Sequence, residues 1–175
     1  MKKLLFILLS LGVALAGCNY AQTPTKEEVL QLLNKEIGYP KVVDYEIFCS
    51  DPEHARKLVE AELETNSLIV VQNTQKLKDA GKALVQFTEK ANPYLLPTPE
   101  KDKVLDIQKV KIADEEISEI SISPDGDNSN TVWVEYSSVY KNITPFSVLM
   151  NKGLNDPAKR KVKLSLSEDG WVLEK

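Results

Sequence analysis

Apolar residues recur at helical spacing near the start of the folded region. Four of them lie on one face of a helix: Val29, Leu32, Leu33 and Ile37. Thr25 and Glu28 have the spacing of a capping box, in which each satisfies a free backbone amide of the other. Gly38 is a typical residue just past a helix end. The pattern predicts a helix over residues 26–37.

A second helix is predicted to begin at Asp51 and to end near Asn66. Asp51 is a good N-cap, and Pro52 fits the first helical turn. Its apolar side is supplied by Ala55, Leu58, Val59 and Leu63. The residues between the two helices, 41–48, leave a short strand and a loop as alternatives.

The rest of the chain alternates or clusters apolar residues in the manner of strands. Strands are predicted at residues 67–72, 83–88, 104–112, 117–123, 131–140, 161–167 and 171–173. Three prolines predict a loop over 92–103, and polar residues predict turns at 124–130 and at Asp169-Gly170. The fold class is therefore α+β, with two N-terminal helices followed by mainly antiparallel strands.

Residues 26–175 form either one domain or two small lobes, 26–92 and 104–175. The first segment, two helices and a hairpin, is similar to a winged-helix arrangement. The second segment is similar to the meanders of several small secreted bacterial domains. Neither resemblance transfers a function to particular residues.

The first seventeen residues have a different character from the rest. Lys2 and Lys3 are followed by an apolar stretch from Leu4 to Ala16, which Gly17 closes. A charged start, an apolar core and small closing residues are the layout of a secretory signal. The stretch is shorter than the roughly 20 residues that span a bilayer.

The four residues Leu15-Ala16-Gly17-Cys18 resemble the lipobox of bacterial lipoprotein precursors. The resemblance implies that Cys18 carries lipid, palmitate included, and that residues 1–17 are removed. Residues 18–25 are then a tether to the membrane. In that family an Asp after the lipidated Cys retains the protein at the inner membrane. Because Asn19 stands there, the outer membrane of a Gram-negative cell is expected, on the periplasmic or surface side. Exposure on the surface of a single-membrane bacterium stays an open alternative.

The net charge limits the classes of binding partner that are expected. The precursor has a formal charge of −4, and loss of Lys2 and Lys3 would leave 20 basic against 26 acidic side chains, or −6. Nucleic-acid binding needs a basic footprint, so no nucleic-acid partner is expected. With only seven glycines and no phosphate loop, no cofactor is expected either.

Candidate chemistry is sparse. Cys49 and His54 could form a nucleophile–base pair, but a buried, inert thiol and a helix first turn explain them better. An interchain disulfide through Cys49 stays open. Asp51, Glu53 and His54 serve better as helix-start residues than as metal ligands. The Asp125–Asn130 stretch lacks the later residues of an EF-hand, so no metal site is predicted.

Residues 159–163 carry the strongest basic cluster, composed of Lys159, Arg160, Lys161 and Lys163. On a strand such residues form a solvated face that protects an edge from aggregation. The alternative is contact with anionic groups, such as lipid headgroups near the anchor.

These features favour an envelope lipoprotein whose non-enzymatic domain binds a ligand or a protein partner. One histidine and one spare cysteine cannot supply a convergent catalytic set. The main alternative is a carboxylate-dependent hydrolase of envelope polymers, since twenty-six acids are present. A winged-helix-like module is the third reading, which the export signal and the acidic charge oppose.

Overall fold

The computed structural model describes residues 23–72, 74, 82–126, 128–150 and 153–174. Its helices are α1 (Lys26–Ile37), α2 (Pro52–Glu60), α3 (Glu100–Lys103) and two 3-10 helices, Glu89–Tyr94 and Pro145–Leu149. Its strands are β1 (Lys41–Phe48), β2 (Ile69–Val71), β3 (Val85–Phe87), β4 (Ile107–Asp125), β5 (Asn128–Lys141), β6 (Ala158–Ser167) and β7 (Gly170–Leu173).

The strands form two antiparallel sheets. Five of them are ordered β1-β4-β5-β6-β7, and β2 pairs with β3 in a separate ribbon. The α+β class with mainly antiparallel strands is therefore observed. The order of elements differs from the expected one, because β1 lies between α1 and α2 and joins the main sheet.

Helix α1 begins and ends as its sequence dictates. The Glu28 amide donates to the Thr25 hydroxyl at 3.2 Å, and the Thr25 amide donates to the Glu28 carboxylate at 2.7 Å. These bonds lower the pKa of Glu28, the backbone amide of Thr25 contributing most. At the other end Gly38 adopts φ +82° and donates to Asn34 at 3.1 Å. Between these two ends, helix α1 packs beside β4 and β7.

Strand β4 joins the two expected strands, 104–112 and 117–123, into one continuous strand, although residues 104–106 form a turn before it. The acidic residues between them do not break it, since each has a cationic partner. Asp114 pairs with Lys111 at 2.7 Å, Glu115 with Arg160 at 2.8 Å, and Glu116 with Lys141 at 3.0 Å. A register shift between Ile117 and Glu119 absorbs the remaining irregularity.

The Pro-rich stretch 92–103 is also more ordered than predicted. It contains the end of one 3-10 helix and all of α3. Leu95 forms an isolated bridge to Val110, so this segment packs along β4. Proline tolerates such first-turn and 3-10 positions, which explains why its presence did not exclude helix here.

Two hydrophobic clusters lie at opposite ends of the β4–β5 hairpin. The α2 cluster contains Ile47, Cys49, Ala55, Leu58, Leu63, Leu68, Ile69, Val85, Ala91, Val110, Ile112, Ala113, Phe146 and Leu149. The α1 cluster contains Val29, Leu33, Tyr39, Val132, Val134, Tyr136 and Leu164. Each cluster combines residues from both segments that were expected as alternative lobes, 26–92 and 104–175.

Candidate functional site

A groove of about 750 Å³ lies between the first turns of α1 and the main sheet. Lys26, Glu27 and Leu30 form its helical wall. The sheet contributes residues 117–121 of β4, 135–137 of β5 and 159–161 of β6. A volume of this size suits a small molecule, for which pockets of about 300–1,000 Å³ are usual.

Strand register sets which side chains stand together in the groove. Three rows cross β4, β5 and β6: Glu119–Ser137–Lys159, Ile120–Tyr136–Arg160 and Ser121–Glu135–Lys161. Neighbours within a row lie on one face of the sheet, and successive rows alternate between the two faces. Arg160 therefore stands on the same face as Ile120 and Tyr136, whereas Lys159 and Lys161 point to the opposite face.

Arg160 is held by a largely buried polar network. Its Nη1 donates to Glu115 Oε1 at 2.8 Å and to Ser138 Oγ at 3.4 Å, and it also contacts the Tyr39 hydroxyl. Ser138 donates to the same Glu115 oxygen at 2.5 Å. The Glu115 side chain is 9% exposed and that of Arg160 is 39% exposed. The guanidinium is therefore anchored from inside while it still reaches the groove.

Burial also affects Tyr136, the neighbour of Arg160 in the middle row. Its phenol is buried in the α1 cluster, and desolvation raises its pKa. The nearby Glu115 carboxylate raises the pKa further. Tyr136 therefore stays protonated at neutral pH and gives the groove a neutral wall beside the guanidinium.

Lys161 and Lys163 are engaged around Trp133. Lys161 Nζ lies 4.8 Å from the ring centroid and 3.2 Å from a Glu135 oxygen. Lys163 Nζ lies 2.7 Å from Asp125, which also accepts from the Trp133 indole at 2.7 Å. These bonds, that of Lys163 first, lower the pKa of Asp125. Lys163 is not part of the groove lining.

Two charged side chains of the helical wall are available to a ligand. Within the described residues, Lys26 makes no ion pair, and neither does Glu27. Leu30 is 37% exposed although it is a large apolar residue. The groove thus combines unpaired charges of both signs with an apolar wall.

The basic cluster that was predicted from the sequence lines the groove only in part. Lys159, Arg160 and Lys161 line the groove together, while Lys163 lies outside its lining. Contact of this cluster with anions stays a prediction. Cys18, the expected lipid site, lies outside the described residues.

Cys49 and His54 make separate contacts. The Cys49 thiol is buried and donates to Ile47 O at 3.7 Å, and burial raises its pKa to about 11. The His54 Nδ1 atom accepts from the Phe48 amide at 3.2 Å, with the imidazole against the Phe48 ring. Since Nδ1 is an acceptor toward the backbone, it is engaged and does not serve as a base for the thiol.

The turn that follows β4 uses its polar residues internally. Asp125 accepts from Thr131 Oγ1 at 3.0 Å besides Trp133 and Lys163, and Asn128 accepts from the Asn130 amide at 3.0 Å. Asp127 lies outside the described residues. No group of three or more potential metal ligands occurs within the part of the chain that the structure describes.

Sequence reasoning missed several groove residues. Lys26 and Leu30 belong to the exposed side of the α1 pattern, where no spacing rule selects them. Glu115, which anchors Arg160 without lining the groove, could have been noticed in the sequence. It alternates along the strand with the apolar residues Ala113 and Ile117. An acid at an inward position of a strand needs a buried partner, which here is Arg160.

Comparisons with protein-family models, with curated proteins and with solved structures gave no match. Among the described residues, no helix has the length and apolarity needed to cross a membrane.

Proposed function

We propose that this chain is the precursor of a lipid-anchored bacterial envelope protein whose α+β domain binds a ligand in the α1 groove without chemical change. The observation that carries the proposal is a groove of about 750 Å³ with a pre-anchored guanidinium at its wall. Pockets with a few fixed polar groups and apolar walls are typical of ligand sites.

The carboxylates favour binding over hydrolysis. A general acid needs a raised pKa so that it holds its proton near neutral pH. Hydrogen bonds hold the pKa values of the Glu28, Asp114 and Asp125 carboxyls below their ordinary range, so none of these three is held as a general acid. None of the three lines the groove.

The position of the groove suits a membrane-tethered protein. Lys26, the first residue of α1, lines the groove, and the tether 18–25 precedes it directly. A tether of this length extends at most about 25 Å. The α1 end of the domain therefore remains close to the lipid surface if Cys18 is acylated.

The anchor is tested by metabolic labelling with radioactive palmitate. We expect the wild-type chain to be labelled and membrane-bound, and Cys18→Ser to lose both label and processing. A Cys18→Ser protein that still incorporates palmitate would contradict the anchor. In a Gram-negative host, density-gradient fractions should place the protein with outer-membrane markers, because Asn19 follows Cys18.

The groove is tested by site-specific photocrosslinking in native membranes. A photoreactive amino acid at Leu30, inside the groove, should capture a bound molecule. Leu166 is the matched control, since it is 38% exposed against 37% for Leu30 and lies outside the groove lining. Equal adducts at the two positions would refute the groove as the binding site.

A further inference from the structure

We propose that the groove binds one anionic amphiphile at a time, with its single anionic group at Arg160 and its apolar chain along Leu30. This inference rests on the proposed function and names the ligand class for the same site. The occupant is a single amphiphile molecule, and it is recognised by charge complementarity at one end and by apolar contact at the other.

Arg160 supplies the specific contact. The bonds that anchor it within the described residues all use Nη1, so Nε and Nη2 remain available as donors. Glu115, Ser138 and Tyr39 hold the guanidinium through this one nitrogen. A planar guanidinium that is fixed in advance binds a carboxylate or phosphate with less loss of side-chain entropy than a free one.

Lys26 supplies a second positive charge to the groove. It is the first residue of α1 and lies in the helical wall. Within the described residues it has no ion pair, so an incoming anion does not have to displace a carboxylate. By contrast, Lys159 and Lys161 point to the sheet face opposite to Arg160, and Lys161 already pairs with Glu135 at 3.2 Å. The available positive charge of the groove is therefore that of Arg160 and Lys26.

The acid of the helical wall limits how many negative charges a ligand can bring. Glu27 lines the groove and has no cationic partner within the described residues. A polyanion would meet this carboxylate and be repelled, whereas a single anionic group is accommodated beside Arg160. Charge thus selects against nucleic acids and polyphosphates.

The apolar contact is provided by Leu30 with Ile117 and Ile120 opposite it. Leu30 is 37% exposed, and the two isoleucines are half-buried at the edge of the α1 cluster. A hydrocarbon chain laid on these side chains removes their remaining apolar surface from water. Each methylene that is buried adds to affinity, which explains why a free anion alone is a poor ligand.

The test is photolabelling of the full chain in isolated membranes. Two probes carry the same diazirine-tagged dodecyl chain, one as a phosphate and one as a maltoside. We expect the phosphate probe to label peptides of α1 and β4 about tenfold more than the maltoside probe, because a charge-assisted hydrogen bond is lost with the neutral head. Excess inorganic phosphate should not compete.

Variants identify the anion contact. Lys26→Gln has no described ion pair to break and should reduce labelling several-fold, while Lys101→Gln, an exposed lysine of α3, should leave it unchanged. Arg160→Lys keeps a positive charge near Glu115 and should also reduce labelling. Labelling that is indifferent to Lys26→Gln and Arg160→Lys would overturn the proposal.

The outcomes separate the ligand class from the site. Equal groove labelling by both probes would overturn the anionic preference and leave the groove as a binding site. Full competition by inorganic phosphate would overturn the amphiphile. Absence of groove labelling by either probe, with no adduct at the photoreactive Leu30 position, would overturn both the ligand class and the proposed function.

Discussion

The α2 cluster and the α1 cluster bury their surfaces in different ways. In the α2 cluster fourteen buried residues pack together, with Phe146 against the rings of Phe87 and Tyr94. In the α1 cluster seven buried residues include Tyr39 and Tyr136, whose rings meet edge to face at 6.1 Å. Beside them lies the buried acid Glu115.

This difference indicates that the two ends of the β4–β5 hairpin have different roles. Apolar packing dominates stability, because it is favourable in proportion to the surface removed from water. Buried charge contributes little net stability and instead fixes geometry, as Arg160 is fixed beside the groove. The α2 end therefore stabilises the fold, and the α1 end carries the groove that we propose as the ligand site.

The largest effect is expected from the α2 cluster. Phe146 is fully buried, so Phe146→Ala should lower the free energy of unfolding by about 3–5 kcal/mol. Val148 in the same 3-10 helix is 58% exposed, and Val148→Ala should change it by less than about 0.5 kcal/mol. Urea denaturation measures both. A small effect of Phe146→Ala would remove the basis of the comparison.

The ion pair at the α1 end should have an intermediate effect. Arg160→Gln leaves the buried Glu115 carboxylate without its cation, which costs about 1–3 kcal/mol after allowance for the partly exposed Arg160. Glu115→Gln with Arg160→Gln should recover most of this loss in urea denaturation, but not probe labelling. Recovery of both would mean that Arg160 does not contact the ligand.

A smaller effect is expected at Cys49. Cys49→Ala removes a small buried group and should cost about 1 kcal/mol. Because burial raises the pKa of the thiol to about 11, iodoacetamide at pH 8 should modify Cys49 far more slowly in the folded protein than in urea. Rapid modification of the folded protein, detected by mass spectrometry, would contradict an inert thiol.

The smallest effect is a dependence of stability on pH at Asp125. Hydrogen bonds from Lys163 and Trp133 lower its pKa in the folded state. The stabilisation is therefore present above the unfolded-state pKa of about 4 and is lost as pH falls through the lower folded-state pKa. Asp125→Asn should be less stable than wild type at pH 7, and the difference should shrink at pH 2. A pH-independent difference would exclude this linkage.

Local signals in the sequence predicted local structure well. Thr25, Glu28 and Gly38 delimit α1 through contacts within a few residues, and the same is true of Asp51 and Pro52 at the start of α2. Alternation predicted most of the strands. Such features are readable because their physics involves neighbouring residues.

The errors lie where distant residues decide. Strand β4 continues through its three acids because Lys111, Arg160 and Lys141 neutralise them, two of these from other strands. The basic cluster was visible, but which of its members faced a groove depended on register against β5. No spacing rule could identify Leu30, whose role follows from the sheet opposite it.

The central claim, that ligand binds at the α1 end, is tested most directly by hydrogen–deuterium exchange of the protein purified from membranes and reconstituted in nanodiscs. With dodecyl phosphate we expect slower exchange in peptides covering residues 26–33, 117–121 and 158–162, and no change at 52–60 or 85–94. Dodecyl maltoside should produce no such protection. Protection confined to the α2 end, or equal protection by the two compounds, would contradict the account.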